Sequence, residues 1–221
     1  MFDDISNHYD FLNHFLSFGI DKLWRRKLIR LLAQERPYSI LDVATGTGDM
    51  AIALAKLKPQ KIKGIDIADK MLEIACAKVL HRRLNTVISF ETGDAEKIPF
   101  NDSSYDAVTV AFGVRNYENL LQGLKEMNRV LKPGGTMLIL EFSHPQSIMV
   151  KLFYRIYSRI VIPSAGRLIS GNNHAYRYLP QSVAAFPSGN DFLEILKKAG
   201  LHNTRQYILS GGIASIYRAV K

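Results

Sequence analysis

The stretch Leu41-Asp42-Val43-Ala44-Thr45-Gly46-Thr47-Gly48-Asp49, with an isolated Asp66 closing the next apolar run, decides the reading of this chain. It has the pattern of a buried strand, a tight glycine turn and a helix start, followed about one βαβ unit later by an acid. Gly46 and Gly48 let the backbone approach a ligand, and a carboxylate at Asp66 suits the hydroxyls of a ribose. The segment Gly46-Thr47-Gly48-Asp49-Met50-Ala51 satisfies G-x-G-x-x-[GA], so by its glycines alone the turn accepts any adenosine-containing cofactor.

Working outward, strand-like and helix-like runs alternate. The pattern predicts strands over 39–43, 61–66, 86–91, 107–112 and 136–142, and helices over 49–57, 70–81 and 120–131. Such alternation predicts a parallel sheet with helices on both faces. The end of the chain differs. A helix over 192–199 stops at Gly200, and two β-rich runs, 203–209 and 213–220, are joined by Ser210-Gly211-Gly212, which reads as an antiparallel hairpin. The expected fold is therefore α/β and Rossmann-like, of the class I methyltransferase type. It has seven mostly parallel strands and a C-terminal antiparallel hairpin. One domain spans 1–221, with a helical N-terminal segment over 1–34 and a helical substrate-covering insertion expected over 143–190. In the N-terminal segment, Phe11, Leu12, Phe15 and Leu16 recur at helical spacing, and Leu23, Trp24, Leu28, Leu31 and Leu32 form a second amphipathic set.

The acids around the turn separate the candidate cofactors. A dinucleotide would place an anionic pyrophosphate at the helix start, where Asp49 would repel it. Asp42 and Asp49 suit a ligand carrying a sulfonium and an ammonium group, which is S-adenosylmethionine. Asp49 also reads as a plain helix N-cap. After the third strand, Gly93-Asp94-Ala95-Glu96 offers an acid for an adenine amino group and a small residue beneath the ring; it reads equally as a surface turn. Acids stand in order at three successive strand ends.

Composition bounds the rest. With 221 residues, 47% hydrophobic and 22% charged, the chain is an ordinary globular domain. No apolar run approaches the ~20 residues of a membrane span. One cysteine, Cys76, excludes an intrachain disulfide, and no zinc-type spacing occurs. Cys76, mid-helix, reads as a small core residue, and the compartment as reducing and cytoplasmic. The net charge of +9 calls for an anionic partner, nucleic acid or membrane. Between Phe142 and Asn190 there is no Asp or Glu, while Lys151, Arg155, Arg159, Arg167 and Arg177 are all basic.

The chain resembles, almost end to end, the quinone-biosynthesis C-methyltransferases that act on demethylmenaquinol or a ubiquinol precursor. The resemblance rests on Met1-Phe2-Asp3-Asp4-Ile5, Tyr9-Asp10-Phe11-Leu12-Asn13, Leu16-Ser17-Phe18-Gly19-Ile20 with Trp24-Arg25, the glycine turn, and Gly93 to Phe100. Its most specific parts are Phe112-Gly113-Val114-Arg115-Asn116 and Leu140-Glu141-Phe142-Ser143-His144-Pro145. It implies S-adenosylmethionine contacts at Thr47, Asp66, Asp94 and Ala95, beside Asp42, Gly46 and Gly48 of the turn. The family's cofactor position after the fourth strand, often Ser in relatives, is Ala111 here and lacks the hydroxyl; relatives also often carry Gly where this chain has Thr45. They usually carry residues before the segment starting at Met1, so the N-terminus reads as short.

The resemblance also implies the chemistry. A quinol ring carbon attacks the donor methyl group, helped by loss of a phenolic proton whose pKa in water is near 10. Arg115 and Asn116, after the fourth strand, are the candidate catalytic residues, polarising the quinol oxygen; Arg115 pairing structurally with Glu141 or Asp10 stays open. The resemblance makes the N-terminal helical segment 1–34 a lid over the substrate, with Tyr9, Asp10 and Asn13 as substrate-binding residues. His144 is a candidate base, though a lone histidine beside Pro145 is more often structural. No metal is expected. The partner is a membrane-borne polyprenyl quinol. Lys151, Arg155 and Arg159 recur along one side of the apolar stretch 147–162 and fit an anionic membrane surface, or equally a solvated stripe on a core helix. A homodimer stays open. Nucleic acid is disfavoured because the loop after strand four lacks the N/D-P-P-aromatic motif and no cysteine stands there. A nicotinamide reductase and a non-catalytic cofactor-binding scaffold are the other rivals.

Overall fold

The computed structural model describes residues 19–145 and 181–221. In chain order these form helix α1 (Asp21–Leu32), strand β1 (Ser39–Val43), α2 (Asp49–Leu54), β2 (Lys61–Asp66), α3 (Asp69–His81), β3 (Ile88–Thr92) and β4 (Tyr105–Ala111). Then come α4 (Leu120–Val130), β5 (Leu131–Phe142), α5 (Asn190–Lys198), β6 (His202–Leu209) and β7 (Ala214–Val220).

The seven strands make one sheet in the order β3-β2-β1-β4-β5-β7-β6. Strands β1 to β5 pair in parallel, and β7 runs antiparallel to both β5 and β6. The expected fold class holds, including the hairpin, whose Ser210–Gly212 turn carries positive φ at all three residues. Every residue of β1 is buried because helices cover both faces of the sheet. Leu41, Val43, Val108, Val110 and Ile139 point to one face, beneath Leu124 and Met127 of α4 and Phe192 and Leu196 of α5. Ile40, Ile62, Ala107 and Leu138 point to the other, beneath Trp24, Leu28 and Leu32 of α1 and Met50 and Leu54 of α2.

Two expectations change. Helix α1, expected within the lid, is a core element. Trp24 is fixed against Phe112 and Phe142 at ring distances of 6.2 Å, and its Nε1 donates to Ser210 Oγ at 2.9 Å. Cys76 is exposed, not core. In α3 the buried stripe is Met71, Leu72, Ala75 and Val79, and one further residue turns the side chain at 76 about 100° away toward solvent. Tyr9, Asp10 and Asn13, the residues before 19 in the expected lid, and 146–180 of the expected insertion, with the basic stretch 147–162, lie outside the described residues. No described helix is long and apolar enough to cross a membrane.

Candidate active site

Neighbouring strands β1 and β4 sit where the chain's order along the sheet reverses. At such a switch point the loops leaving the strands diverge, and a crevice opens beyond their C-terminal ends. Each strand is followed by a left-handed residue, Ala44 (φ 51°) after β1 and Phe112 (φ 62°) after β4. The two loops approach so closely that a Cβ on Gly113 would stand 2.7 Å from that of Ala44, so glycine is required there. The resulting cleft of ≈ 290 Å³ is lined from the glycine turn, the ends of β2 and β3, and the loop after β4.

The cleft brings together Asp42, Gly46, Thr47, Asp66, Asp94, Ala95, Ala111 and Asn116. Asp42 is fully buried, in register with Thr109 on β4. It accepts from Thr109 Oγ1 at 2.7 Å and from Thr45 Oγ1 at 2.6 Å. Burial pushes its carboxyl up to about 6, against the pull of those hydroxyls and of Arg25. Thr45 thus supplies a hydrogen bond that a glycine in its place would lack. Asp66 ties the turn to β2, accepting from Gly46 N at 2.8 Å and from Ala68 N at 3.0 Å. The turn needs positive φ at Gly46 (54°) and Gly48 (80°). Asp94 is exposed at the cleft edge, its Oδ1 accepting from Glu96 N, with buried Ala95 beside it.

Asp49 lines the cleft but is not the helix N-cap; that position is Gly48, and the Asp49 carboxylate pairs with Lys78 Nζ at 2.9 Å. The same ammonium donates to Thr47 Oγ1 at 2.9 Å. Lys78 therefore braces the turn from α3 and offsets one of its two flanking acids.

Arg115 and Asn116 divide. Asn116 lines the cleft; Arg115 does not. Its side chain is 4% exposed, and the guanidinium lies 2.8 Å from Glu141 Oε1, donates also to the carbonyl of Phe112, and packs over the Phe142 ring. Of the readings left open for this residue, the geometry is that of pairing with Glu141. A wholly buried carboxylate on β5 attracts the nearest cation, which draws Arg115 behind the cleft wall. Direct polarisation of a substrate oxygen by Arg115 is not what this arrangement offers. His144 is likewise a tie between segments: its ring nitrogens stand 3.0 Å from the Val183 carbonyl oxygen and 3.2 Å from Ser188 Oγ.

The structure adds residues that sequence patterning missed. Arg25 of α1, Tyr117, Ile67 and Met71 all line the cleft. Ile67, 65% exposed directly after the β2 acid, carried a readable signal: an apolar side chain left in water beside a ligand-binding acid. Tyr117 had none, since its place depends on Gly123 of α4, where a Cβ would stand 2.5 Å from the tyrosine ring.

Residues 1–221 match the ubiE/COQ5 methyltransferase family over their whole length. The chain belongs to that family. This ubiE/COQ5 family member is 46% identical over 222 residues to a protein of Bacteroides fragilis named demethylmenaquinone methyltransferase, covering 100% of this chain and 91% of that one. It is 44% identical over 223 residues to the ubiquinone/menaquinone biosynthesis C-methyltransferase UbiE of Geotalea daltonii, covering 100% and 94%. Among solved structures, a SAM dependent methyltransferase from Aquifex aeolicus shares the fold with a TM-score of 0.63 at 21% identity, covering 87% of this chain and 88% of that one. The family member is thus a methyltransferase, and its cofactor is S-adenosylmethionine. The residues present fit that group. Glycines allow close approach at the turn, and the cleft wall carries six carboxylates against one cation among the described residues, which suits a positively charged ligand.

Proposed function

We propose that this protein transfers a methyl group from S-adenosylmethionine to a ring carbon of demethylmenaquinol, giving menaquinol. The supporting observation is the cleft at the β1–β4 switch point, with acids at three successive strand ends and Asn116 on its wall, in a chain similar along its whole length to proteins named for this reaction. When bound, the cofactor supplies a methyl group on a positively charged sulfur. Asp66 holds the glycine turn and receives the ribose, Asp94 and Ala95 receive the adenine, and Asp42 faces the cationic end. Asn116 donates a hydrogen bond to the quinol oxygen as negative charge develops there. Arg115 acts one step removed. Tied to Glu141, it fixes the 112–116 loop and so the place of Asn116.

The substrate's polyprenyl tail calls for a protein that works at a membrane surface without crossing it. The acid-free, basic and apolar stretch 147–162 fits, by its composition, docking on anionic lipid from the cytoplasmic side. Co-sedimentation with neutral and anionic vesicles reads this directly, and equal partitioning on both would refute electrostatic docking.

Labelled methyl transfer to short-chain demethylmenaquinol and to the corresponding benzoquinol tests the substrate. Transfer to the naphthoquinol in preference supports the reading, preference for the benzoquinol moves it to a ubiquinol precursor, and transfer to neither overturns it.

A further inference from the structure

Arg25 stands apart in the cleft. It is the one cation of the described wall, which it shares with Asp42, Asp49, Asp66, Asp94, Glu96 and Glu118. Its side chain is 11% exposed, and its Nε–H is buried with no hydrogen-bond acceptor. Its ion-pair neighbour, Asp21, lies 3.6 Å from Nη2, beyond hydrogen-bond length. Below it lies the Phe112 ring, 5.8 Å from Cζ, which holds the guanidinium by a cation–π contact and offers no acceptor.

The position is rigid. Trp24, the preceding residue, is pinned between Phe112, Phe142 and Ser210, so α1 presents Arg25 from a fixed element and not from a loop. A buried guanidinium with an unmade donor, fixed on a ligand cleft, is a site prepared for an anion. Asp42 lies near enough for the two charges to interact. The described wall therefore offers a positive and a negative group together, the complement of an α-amino-acid zwitterion.

We propose that Arg25 anchors the α-carboxylate of the cofactor's amino-acid tail, while Asp42 faces its α-ammonium. This rests on reading the cleft as the S-adenosylmethionine site. It makes Arg25 a specificity residue: ligands with the amino-acid tail are recognised through it, and ligands lacking the tail are not.

The test crosses ligand with variant. S-adenosylhomocysteine carries the tail; methylthioadenosine keeps adenosine and sulfur and lacks it. Calorimetric titration of both into the wild type, Arg25→Met and Arg25→Lys is expected to show S-adenosylhomocysteine weakened about 10- to 100-fold by Met, the range of a charge-assisted hydrogen bond. Lysine restores part of that loss, and methylthioadenosine binds all three proteins within about twofold. KM for S-adenosylmethionine rises in Arg25→Met and KM for the quinol does not. Equal weakening of both ligands would make Arg25 merely structural, and a change confined to the quinol KM would make it a substrate contact; either overturns the proposal. Arg25→Lys keeps the charge over Phe112, so the comparison survives if Met unfolds α1. Wild-type protein that binds neither ligand refutes the cofactor reading itself, a distinct result.

Discussion

Glu141 and Arg115 close an ion pair away from water: Oε1 and Nη1 are 2.8 Å apart, with side-chain exposures of 0% and 4%. Glu141 also accepts from the backbone N–H of Phe142 at 2.9 Å, so β5 and the loop after β4 are joined through one carboxylate. Burial drives the Glu141 carboxyl upward and Arg115 draws it back. Two charges taken out of water in this way gain little net stability; what they contribute is the fixed geometry of the loop that carries Asn116.

Breaking the pair from one side should therefore cost more than removing it whole. Glu141→Gln or Arg115→Met alone is expected to destabilise the protein by about 3–5 kcal/mol, because each leaves one buried charge without its partner. The double variant should recover part of that loss. Urea unfolding of the four proteins measures the coupling, and strictly additive losses would show that the two groups act independently.

Asp42 predicts a pH dependence whose sign follows from its raised pKa. The folded protein holds this proton up to about 6, whereas an ordinary aspartate gives it up near 3.8. The group's contribution to stability is thus complete below the unfolded pKa and lost as pH rises through the folded one, a change of about 3 kcal/mol. Asp42→Asn removes the titration. Relative to the variant, the wild type should lose about that much unfolding free energy as pH rises from about 4 to above 6; a constant difference, or a gain, would contradict it. An α-ammonium facing Asp42 favours the carboxylate, so S-adenosylhomocysteine should bind more weakly below about pH 6 in the wild type, with proton release on binding.

Gly123→Ala should damage the site from outside it. The new Cβ would stand 2.5 Å from Cδ2 of Tyr117, and the ring must leave its seat on α4 toward the cleft it lines. Alanine's helix propensity, about 1 kcal/mol better than glycine, acts in the opposite direction on stability. The expected result is near-normal stability with cofactor affinity reduced roughly tenfold, a loss of about 1.4 kcal/mol. Tyr117→Leu in the same background should restore affinity, since the smaller side chain accommodates the methyl group.

Asp66→Asn should act on the adenosine half alone. An amide in place of the carboxylate sets an N–H against Gly46 N–H or Ala68 N–H, and the turn loses an acceptor. S-adenosylhomocysteine and methylthioadenosine should weaken together, by about 10- to 100-fold. Loss of one ligand without the other would place Asp66 elsewhere than at the shared adenosine.

Strand and helix identities were legible in the sequence because burial on this fold leaves a local trace. The apolar runs of β1 and β2 read correctly to their ends, and the Ser210-Gly211-Gly212 hairpin needed only its glycines. Cys76 misread because the α3 pattern allows two faces, and only the sheet beneath selects the one with Ala75 and Val79. The N-cap reading of Asp49 failed, and its pairing with Lys78 was not legible, because that partner is 29 residues away on another helix.

The sequence by itself determined the glycine turn, the acids at 42, 66 and 94, the sheet that presents them, and the family signature in 112–116. Each of these depends on residues close in the chain or on a strand-and-helix period. Tertiary structure alone decided which charges meet. It drew Arg115 to Glu141 across 26 residues and out of the cleft wall, and it carried α1 across the sheet so that Arg25 entered that wall. Electrostatic partners are chosen by burial and by proximity in space, and neither is written in the spacing of the chain.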